Sequence, residues 1–180
     1  MTIAYIGMGG NLASPAGQPE ATLAAAAVRM GALGRVAARS SLYRTAPVGY
    51  VNQPPFVNAV VGLATEMGPR KLLDGLMQIE DEFGRERLPG LRDGPRTLDL
   101  DLLFYGDVVF EGAGLTLPHP RLRERAFVLT PLGEIAPALR EPRTARTVAE
   151  MLESLVSPSG SANDAVVALK CEFWRAGVVR

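Results

Sequence analysis

The hydrophobic residues of the chain recur with two periods, one typical of helices and one typical of strands. Apolar residues at i, i+3 and i+4 spacing predict a helix over 69–83, with a proline at its start and a glycine after its end. An Ala-rich stretch with the same punctuation predicts a helix over 19–33. Two shorter apolar stretches predict helices near 127–134 and 145–155.

Runs of β-branched and aromatic residues predict the strands, which glycines and prolines separate. The predicted strands are 2–7, 36–43, 56–65, 98–105 and a short one at 108–110. The main elements then follow the order β-α-β-β-α-β, which is the split βαβ, or ferredoxin-like, arrangement. We therefore expect an α/β (α+β) fold in which helices pack on an antiparallel sheet. Since this fold hosts many functions, function has to be argued from the site residues.

Glycine-rich and proline-rich segments predict the connections between these elements. The glycines at positions 7, 9 and 10 predict a tight turn into Asn11, where the backbone closely approaches a ligand or another strand. Loops are predicted over 45–55, 84–96 and 117–125.

The serine, proline and glycine break at 157–161 divides the chain into two parts. We expect a single domain over 1–156. We also expect a C-terminal extension over 157–180, which either adds a strand or packs as a tail.

Composition excludes several classes of protein. The chain has 180 residues, with 19 basic and 19 acidic side chains and no formal net charge, which argues against a sequence-blind nucleic-acid binder. Cys171 is the one cysteine, so it cannot form an internal disulfide, and a reducing compartment is expected. No apolar run reaches the roughly 18 residues that span a bilayer, and no basic segment opens the chain. We expect a cytoplasmic protein with no membrane partner.

The strongest chemical pattern is the alternation of leucine and aspartate around Asp99 and Asp101. In a strand, successive side chains point to opposite faces, so these two carboxylates share one face while leucines occupy the other. Two adjacent carboxylates repel each other unless a cation lies between them. They would suit Mg²⁺ held together with substrate phosphates, or, alternatively, they form a solvated face paired with arginines.

Arginines accumulate in the loop before this strand, at Arg85, Arg87, Arg92 and Arg96. Guanidinium groups bind phosphate oxygens with a fork of donors, so carboxylates and arginines around one strand would suit a metal–triphosphate complex. The alternative is a surface loop whose salt bridges cancel one another.

Two further groups are candidates for ligand contacts. His119 is the one histidine and lies between prolines in a polar loop, where it either contacts a phosphate oxygen or plays a structural part. Phe56 and Asn58 lie two residues apart and share a strand face, which would suit a flat, hydrogen-bonding heterocycle. Alternatively, Phe56 belongs to the core and Asn58 to the start of the strand.

Six segments of the chain, in this order, resemble the 6-hydroxymethyl-7,8-dihydropterin pyrophosphokinase family. They are A-Y-I-G-M-G-G-N-L at 4–12, S-L-Y-R-T-A-P at 41–47, Q-P-P-F-V-N-A at 53–59, G-P-R-T-L-D-L-D at 94–101, L-P-H-P at 117–120 and R-A-F-V at 125–128. The resemblance implies a 2-amino-4-hydroxy-6-hydroxymethyldihydropteridine diphosphokinase, which moves the β,γ-pyrophosphoryl group of ATP to the pterin in folate biosynthesis and leaves AMP. Its partners would be these small molecules, and the enzyme would be a monomer.

The resemblance also assigns residues to roles. It implies that two Mg²⁺ ions bind at Asp99 and Asp101, and that these two carboxylates act in catalysis with Arg85 and Arg96. The positions implied for ATP are Glu80, Arg85, Arg87, Arg96, His119 and Arg125. The positions implied for the pterin are Thr45, Ala46, Val48, Phe56, Asn58 and Phe127.

The chain departs from the family pattern at three positions. The family often has serine at Gly10, tyrosine at Phe56 and an aromatic residue at Asp93. Two other functions compete with this one: a different Mg²⁺-dependent kinase or phosphohydrolase, and a non-catalytic ferredoxin-like binding module. The products formed from ATP distinguish them.

Overall fold

The structure is a computed structural model that describes residues 1–86, 94–155 and 166–175. Its strands are β1 (Thr2–Gly10), β2 (Arg35–Arg39), β3 (Leu42–Thr45), β4 (Phe56–Thr65), β5 (Asp99–Tyr105), β6 (Phe110–Gly112), β7 (Leu115–Leu117) and β8 (Val166–Leu169). Its α-helices are α1 (Pro19–Arg29), α2 (Pro69–Glu82), α3 (Ala126–Ile135), α4 (Val148–Leu155) and α5 (Glu172–Arg175). Short 3₁₀ turns occupy Met30–Ala32 and Leu122–Glu124. The four predicted helices are present, and the first ends as a 3₁₀ turn. No helix in these described ranges is long and apolar enough to cross a membrane.

The main sheet has the strand order β5-β1-β4-β3-β8, and β2 also pairs with β4. All of these pairs are antiparallel. Helix α1 connects β1 to β2 with β4 lying between them, and α2 connects β4 to β5 with β1 lying between them. Each helix therefore joins two strands that a third strand separates, which confirms the predicted split βαβ fold.

The two faces of the sheet are covered differently. On one face, Ile6, Val61 and Leu100 belong to a buried cluster with Leu23 of α1 and Leu76 of α2. On the other face, a smaller cluster joins strand residues to α3 and α4, and it includes Val60, Phe104, Leu129 and Met151. The second cluster covers one end of its face only. The rest of that face is the floor of a cavity.

The predicted turn at the first glycines is wrong, because β1 continues through Gly7 and Gly9 to Gly10. Strands β4 and β5 pair with β1 on both sides along this stretch, and the ladders hold it extended. Glycine is required here by close approach: a Cβ at Gly9 would lie 2.8 Å from Asn58 Oδ1, and one at Gly10 would collide with the Thr97 carbonyl oxygen.

The predicted strand over 36–43 is divided into β2 and β3 at Ser40. The hydroxyl of Ser40 accepts a hydrogen bond from the Val60 N–H at 2.9 Å, in the place of a backbone carbonyl. The Ser40 carbonyl is thereby turned out of the ladder and instead accepts a hydrogen bond from Trp174 Nε1 at 2.6 Å. A side chain that substitutes for the backbone is not visible in a hydrophobic pattern.

The predicted strand over 108–110 is displaced toward the C-terminus. The hairpin of β6 and β7 pairs Phe110 with Leu117, and positive φ angles at Ala113 and Gly114 form its turn. Strand β7 takes the first residue of the loop predicted over 117–125, and a 3₁₀ turn takes three more. The predicted break at 157–161 lies outside the described residues.

Candidate functional site

A cavity of about 390 Å³ lies on the part of the sheet that α3 and α4 leave open. The strand register brings its floor together, since Gly9 of β1 lies opposite Asn58 of β4 on one side and Asp99 of β5 on the other. Gly7 likewise lies opposite Asp101. Because glycine has no side chain, Gly7 and Gly9 line the cavity with backbone alone, and the absence of a Cβ at Gly9 leaves room for the Asn58 amide.

The carboxylates occupy one end of the cavity and contact three arginines. Asp99 pairs with Arg85 at 3.0 Å and with Arg96 at 3.2 Å, and Asp101 pairs with Arg125 at 3.5 Å. Burial, followed by the charge of Asp99, raises the pKa of Asp101 to about 6, although the three arginines oppose this shift. The alternation predicted for this strand is confirmed, because Leu98, Leu100 and Leu102 are buried on the other face.

The carboxylate pair fits a hard divalent cation that takes its other ligands from outside the chain. Among the residues that the structure describes, no three or more His, Cys, Asp or Glu side chains come together as a metal cluster. Asp99 and Asp101 offer the oxygen donors that Mg²⁺ prefers, and Mg²⁺ usually completes its coordination with waters and phosphates. The raised pKa of Asp101 indicates that positive charge at this position would stabilise its ionised form.

The other end of the cavity combines aromatic rings with an amide. Asn58 Nδ2 donates to Thr45 Oγ1 at 2.7 Å, which orients the amide within the cavity. Phe56 and Phe127 both line the cavity. The guanidinium of Arg96 lies 5.1 Å from the ring centre of Phe56, and that of Arg125 lies 5.6 Å from the ring centre of Phe127. The two rings therefore present faces that already accept a flat cationic group. Ala46 and Val48 complete this end.

Glu80 and Arg85 lie beside the carboxylate strand and do not line the cavity. Glu80 is buried, and its Oε1 accepts a hydrogen bond from the Leu100 N–H at 2.7 Å. Arg85 Nη1 donates to the Leu98 carbonyl at 3.2 Å. Since β5 is an edge strand of the described sheet, these side chains satisfy backbone groups that no strand in the described part of the chain reaches. They thereby hold the segment from which the two carboxylates project. Arg87, Arg92 and Asp93 lie outside the described residues.

Asn11 connects two loops beside the cavity, a role that the sequence pattern does not predict. Its Nδ2 donates to Gln53 Oε1 at 2.9 Å and to the Pro54 carbonyl at 2.9 Å, while its Oδ1 accepts from the Arg96 N–H at 2.8 Å. This one buried amide joins the loop before Phe56 to the loop that carries Arg96. The sequence feature that could indicate this role is an asparagine directly after a glycine-rich segment, because asparagine amides commonly form hydrogen bonds with loop backbones.

His119 lines the cavity near Arg125. Its Nδ1 accepts a hydrogen bond from the Arg121 N–H at 3.3 Å, so the neutral ring carries its proton on Nε2. Burial, followed by the charges of Arg125 and Arg121, lowers the pKa of His119 to about 4. A neutral ring with a free N–H can donate to an anionic oxygen.

We expect the single imidazole to stay neutral far below the usual range for histidine. A proton NMR titration of the folded chain should give a midpoint near 4, whereas the urea-unfolded chain should titrate near its unperturbed value of about 6.5. Because only the unfolded chain takes up this proton between these values, the His119 contribution should reduce the free energy of unfolding as the pH falls from about 6.5 towards 4. A folded midpoint near 6.5 would contradict the burial of this ring.

The chain has close relatives of known type. The model of the family described as 7,8-dihydro-6-hydroxymethylpterin-pyrophosphokinase (HPPK) matches residues 5–137. The chain is 44% identical over 162 residues to a 2-amino-4-hydroxy-6-hydroxymethyldihydropteridine pyrophosphokinase of Methylorubrum extorquens, covering 89% of this chain and 97% of that protein. It is 42% identical over 152 residues to a protein of the same name from Synechocystis sp., covering 84% of this chain and 75% of that protein.

Solved structures agree on the fold. The crystal structure of wild-type Plasmodium falciparum HPPK-DHPS superposes with a TM-score of 0.65 at 14% identity. The match covers 86% of this chain and 45% of that one, so this chain spans less than half the length of the solved protein.

Proposed function

The chain belongs to the 7,8-dihydro-6-hydroxymethylpterin-pyrophosphokinase family, and we propose that the cavity on its sheet is where it carries out this reaction. The enzyme transfers the β,γ-pyrophosphoryl group of ATP to the hydroxymethyl oxygen of 6-hydroxymethyl-7,8-dihydropterin, a step of folate biosynthesis. One observation carries the assignment to this cavity: a carboxylate pair and an aromatic pair line it together, and two glycines lie between them.

The aromatic end is proposed to bind the pterin. Phe56 and Phe127 would stack on the two sides of the ring, and Asn58 would bond its polar edge. Thr45 orients the Asn58 amide through its hydroxyl. Backbone groups around Ala46 and Val48 would also bind this polar edge, as the family resemblance implies.

The charged end is proposed to bind the triphosphate. Arg96 and Arg125, which pair with the carboxylates in the structure, would bind phosphate oxygens when ATP enters. His119 would donate its Nε2–H to a further oxygen. Asp99 and Asp101 would hold two Mg²⁺ ions, which supply Lewis-acid charge neutralisation at the phosphates when bound.

The chain's contribution to the reaction is then placement and charge. A bond forms between the hydroxymethyl oxygen and the β-phosphorus as the hydroxyl proton is released to solvent, and the bond from that phosphorus to the α,β-bridging oxygen breaks, which leaves AMP. Such a transfer requires the entering and leaving oxygens to lie in line, with the developing charge neutralised. Stacking of the pterin fixes the entering oxygen, and the arginines stabilise the charge on the leaving side.

The proposal extends to residues beside the cavity and to the state of the enzyme. Glu80 and Arg85 are proposed to act by holding β5 in place, and Arg85 also contacts Asp99. Arg87 is also proposed to contact ATP. We further propose a cytoplasmic protein, since the one cysteine offers no internal disulfide, and a monomer, as the family resemblance implies.

Incubation of the chain with ATP, Mg²⁺ and 6-hydroxymethyl-7,8-dihydropterin tests the function directly. We expect AMP and the diphosphorylated pterin to form in equal amounts, measured by anion-exchange chromatography, and we expect no AMP when the pterin is omitted. Formation of ADP would indicate an ordinary kinase. Formation of free phosphate without pterin diphosphate would indicate a phosphohydrolase.

A further inference from the structure

The C-terminal strand β8 continues the sheet that forms the floor of the cavity. It pairs with β3 in an antiparallel ladder, in which Val166 lies opposite Thr45 and Val167 lies opposite Arg44. Thr45 in turn lies opposite Phe56 of β4, so one row of residues runs from the proposed pterin stack to Val166. Strand β8 lies beyond residues 5–137, which the family model matches. Membership of the family therefore assigns no role to β8.

Helix α5 anchors this strand to the rest of the chain. Trp174 is buried in the main hydrophobic cluster, and its Nε1 donates to the Ser40 carbonyl at 2.6 Å. The guanidinium of Arg39 lies 5.3 Å from the centre of the indole ring. Because Ser40 lies two residues before β3, the anchor and the ladder hold β8 against the same segment. A strand held in two ways can present a side chain at a defined position.

The two valines of β8 point in opposite directions. Side chains alternate between the faces of a strand, so Val166 shares the face of Thr45 and lines the cavity. Val167 points to the other face and is 56% exposed. These adjacent residues are identical in type and belong to the same ladder, and they differ in whether they reach the site.

We propose that Val166 forms a wall of the pterin subsite and limits the size of the heterocycle that the subsite accepts. The inference rests on the proposed function, because it takes the end of the cavity near Thr45 to hold the pterin. The isopropyl group of Val166 offers van der Waals contact and no hydrogen bond. Val166 therefore contributes to the shape of the subsite, whereas Asn58 would form hydrogen bonds with the polar edge of the pterin.

The test compares Val166→Trp with Val167→Trp, using AMP formation with each substrate varied in turn. We expect Val166→Trp to raise the pterin KM by about tenfold or more, because an indole fills space that the ring needs, and to leave the ATP KM unchanged. Val167→Trp, the matched control, should leave both constants unchanged. A wild-type pterin KM in Val166→Trp, or an equal effect of the two substitutions, would overturn the proposal.

A smaller substitution, Val166→Ala, keeps the test usable if Val166→Trp does not fold. If thermal unfolding shows that Val166→Trp alone is unfolded, Val166→Ala serves instead. Its lost contact should raise the pterin KM by roughly threefold without changing the ATP KM, and no rise would overturn the proposal.

Wild-type AMP formation tests the proposed function independently of the Val166 proposal. If the wild type forms no AMP, the proposed function fails, and equal pterin affinities of wild type and Val166→Trp by calorimetry would then reject the subsite as well.

Discussion

Replacement of either Asp99 or Asp101 by alanine is expected to reduce turnover by at least about 100-fold while the chain stays folded. Each carboxylate projects from β5 into the cavity, where it would hold Mg²⁺ against the phosphates. Removal of one carboxylate takes away oxygen ligands of the metal. The described part of the chain has no group of three or more His, Cys, Asp or Glu side chains that could supply a replacement. AMP formation at saturating substrate measures the loss.

The fold should tolerate these substitutions because β5 is stabilised by contacts other than those of the two carboxylates. Its backbone is paired with β1 and is bonded on the outer edge by Glu80 and Arg85. Burial and the charge of Asp99 raise the pKa of Asp101 to about 6, so its ionised form already opposes folding near neutral pH. In the wild type, protonation of Asp101 stabilises the folded chain at low pH, and this contribution is lost as the pH rises through about 6.

Asp107→Ala is the matched control, since Asp107 lies in the exposed turn directly after β5. It should keep wild-type turnover and wild-type thermal unfolding. Full turnover in Asp99→Ala or Asp101→Ala would show that the metal assignment is wrong. If either variant proved unfolded by circular dichroism, the carboxylates would instead be structural partners of the arginines.

The sequence predicts most of the site because the chemistry lies on regular elements. Alternation in β5 places Asp99 and Asp101 on one face, whatever the details of the surrounding loops. Periodicity predicts α2 in the same way, and the order of the elements then predicts the sheet topology. These features depend on neighbours in the sequence, so a pattern is sufficient to find them.

The features that the sequence does not predict depend on contacts between distant segments. The glycine-rich stretch reads as a turn, yet pairing on both sides makes it strand up to Gly10. At the break between β2 and β3, the Ser40 carbonyl accepts a hydrogen bond from Trp174, which is 134 residues away. The resemblance implies Glu80 as an ATP position, but the structure buries this carboxylate, which accepts a hydrogen bond from the Leu100 N–H of β5. Tertiary pairing overrides the local signal in each case.

Asn11 makes the same kind of long-range contact beside the site. Its amide donates twice to the loop that leads to the proposed pterin end, and it accepts from the backbone N–H of Arg96 at the proposed phosphate end. The Asn11 and Leu12 N–H groups also donate to the Arg96 carbonyl, at 2.9 and 3.1 Å. The residue touches neither end of the cavity directly, so its effect on catalysis would come through the position of the two loops.

Substitution of Asn11 by aspartate is therefore expected to lower kcat/KM for both substrates by about 100-fold. Aspartate has the same shape and still accepts from the Arg96 N–H, but it replaces both donors with an acceptor that faces Gln53 Oε1 and the Pro54 carbonyl. The loss for both substrates distinguishes this variant from Val166→Trp, which should affect the pterin only. Asn52→Asp makes the same change of charge on the same loop at an exposed position and should leave both constants intact. Lower thermal stability of Asn11→Asp with unchanged kinetics would mean that the amide supports the fold without positioning the two loops.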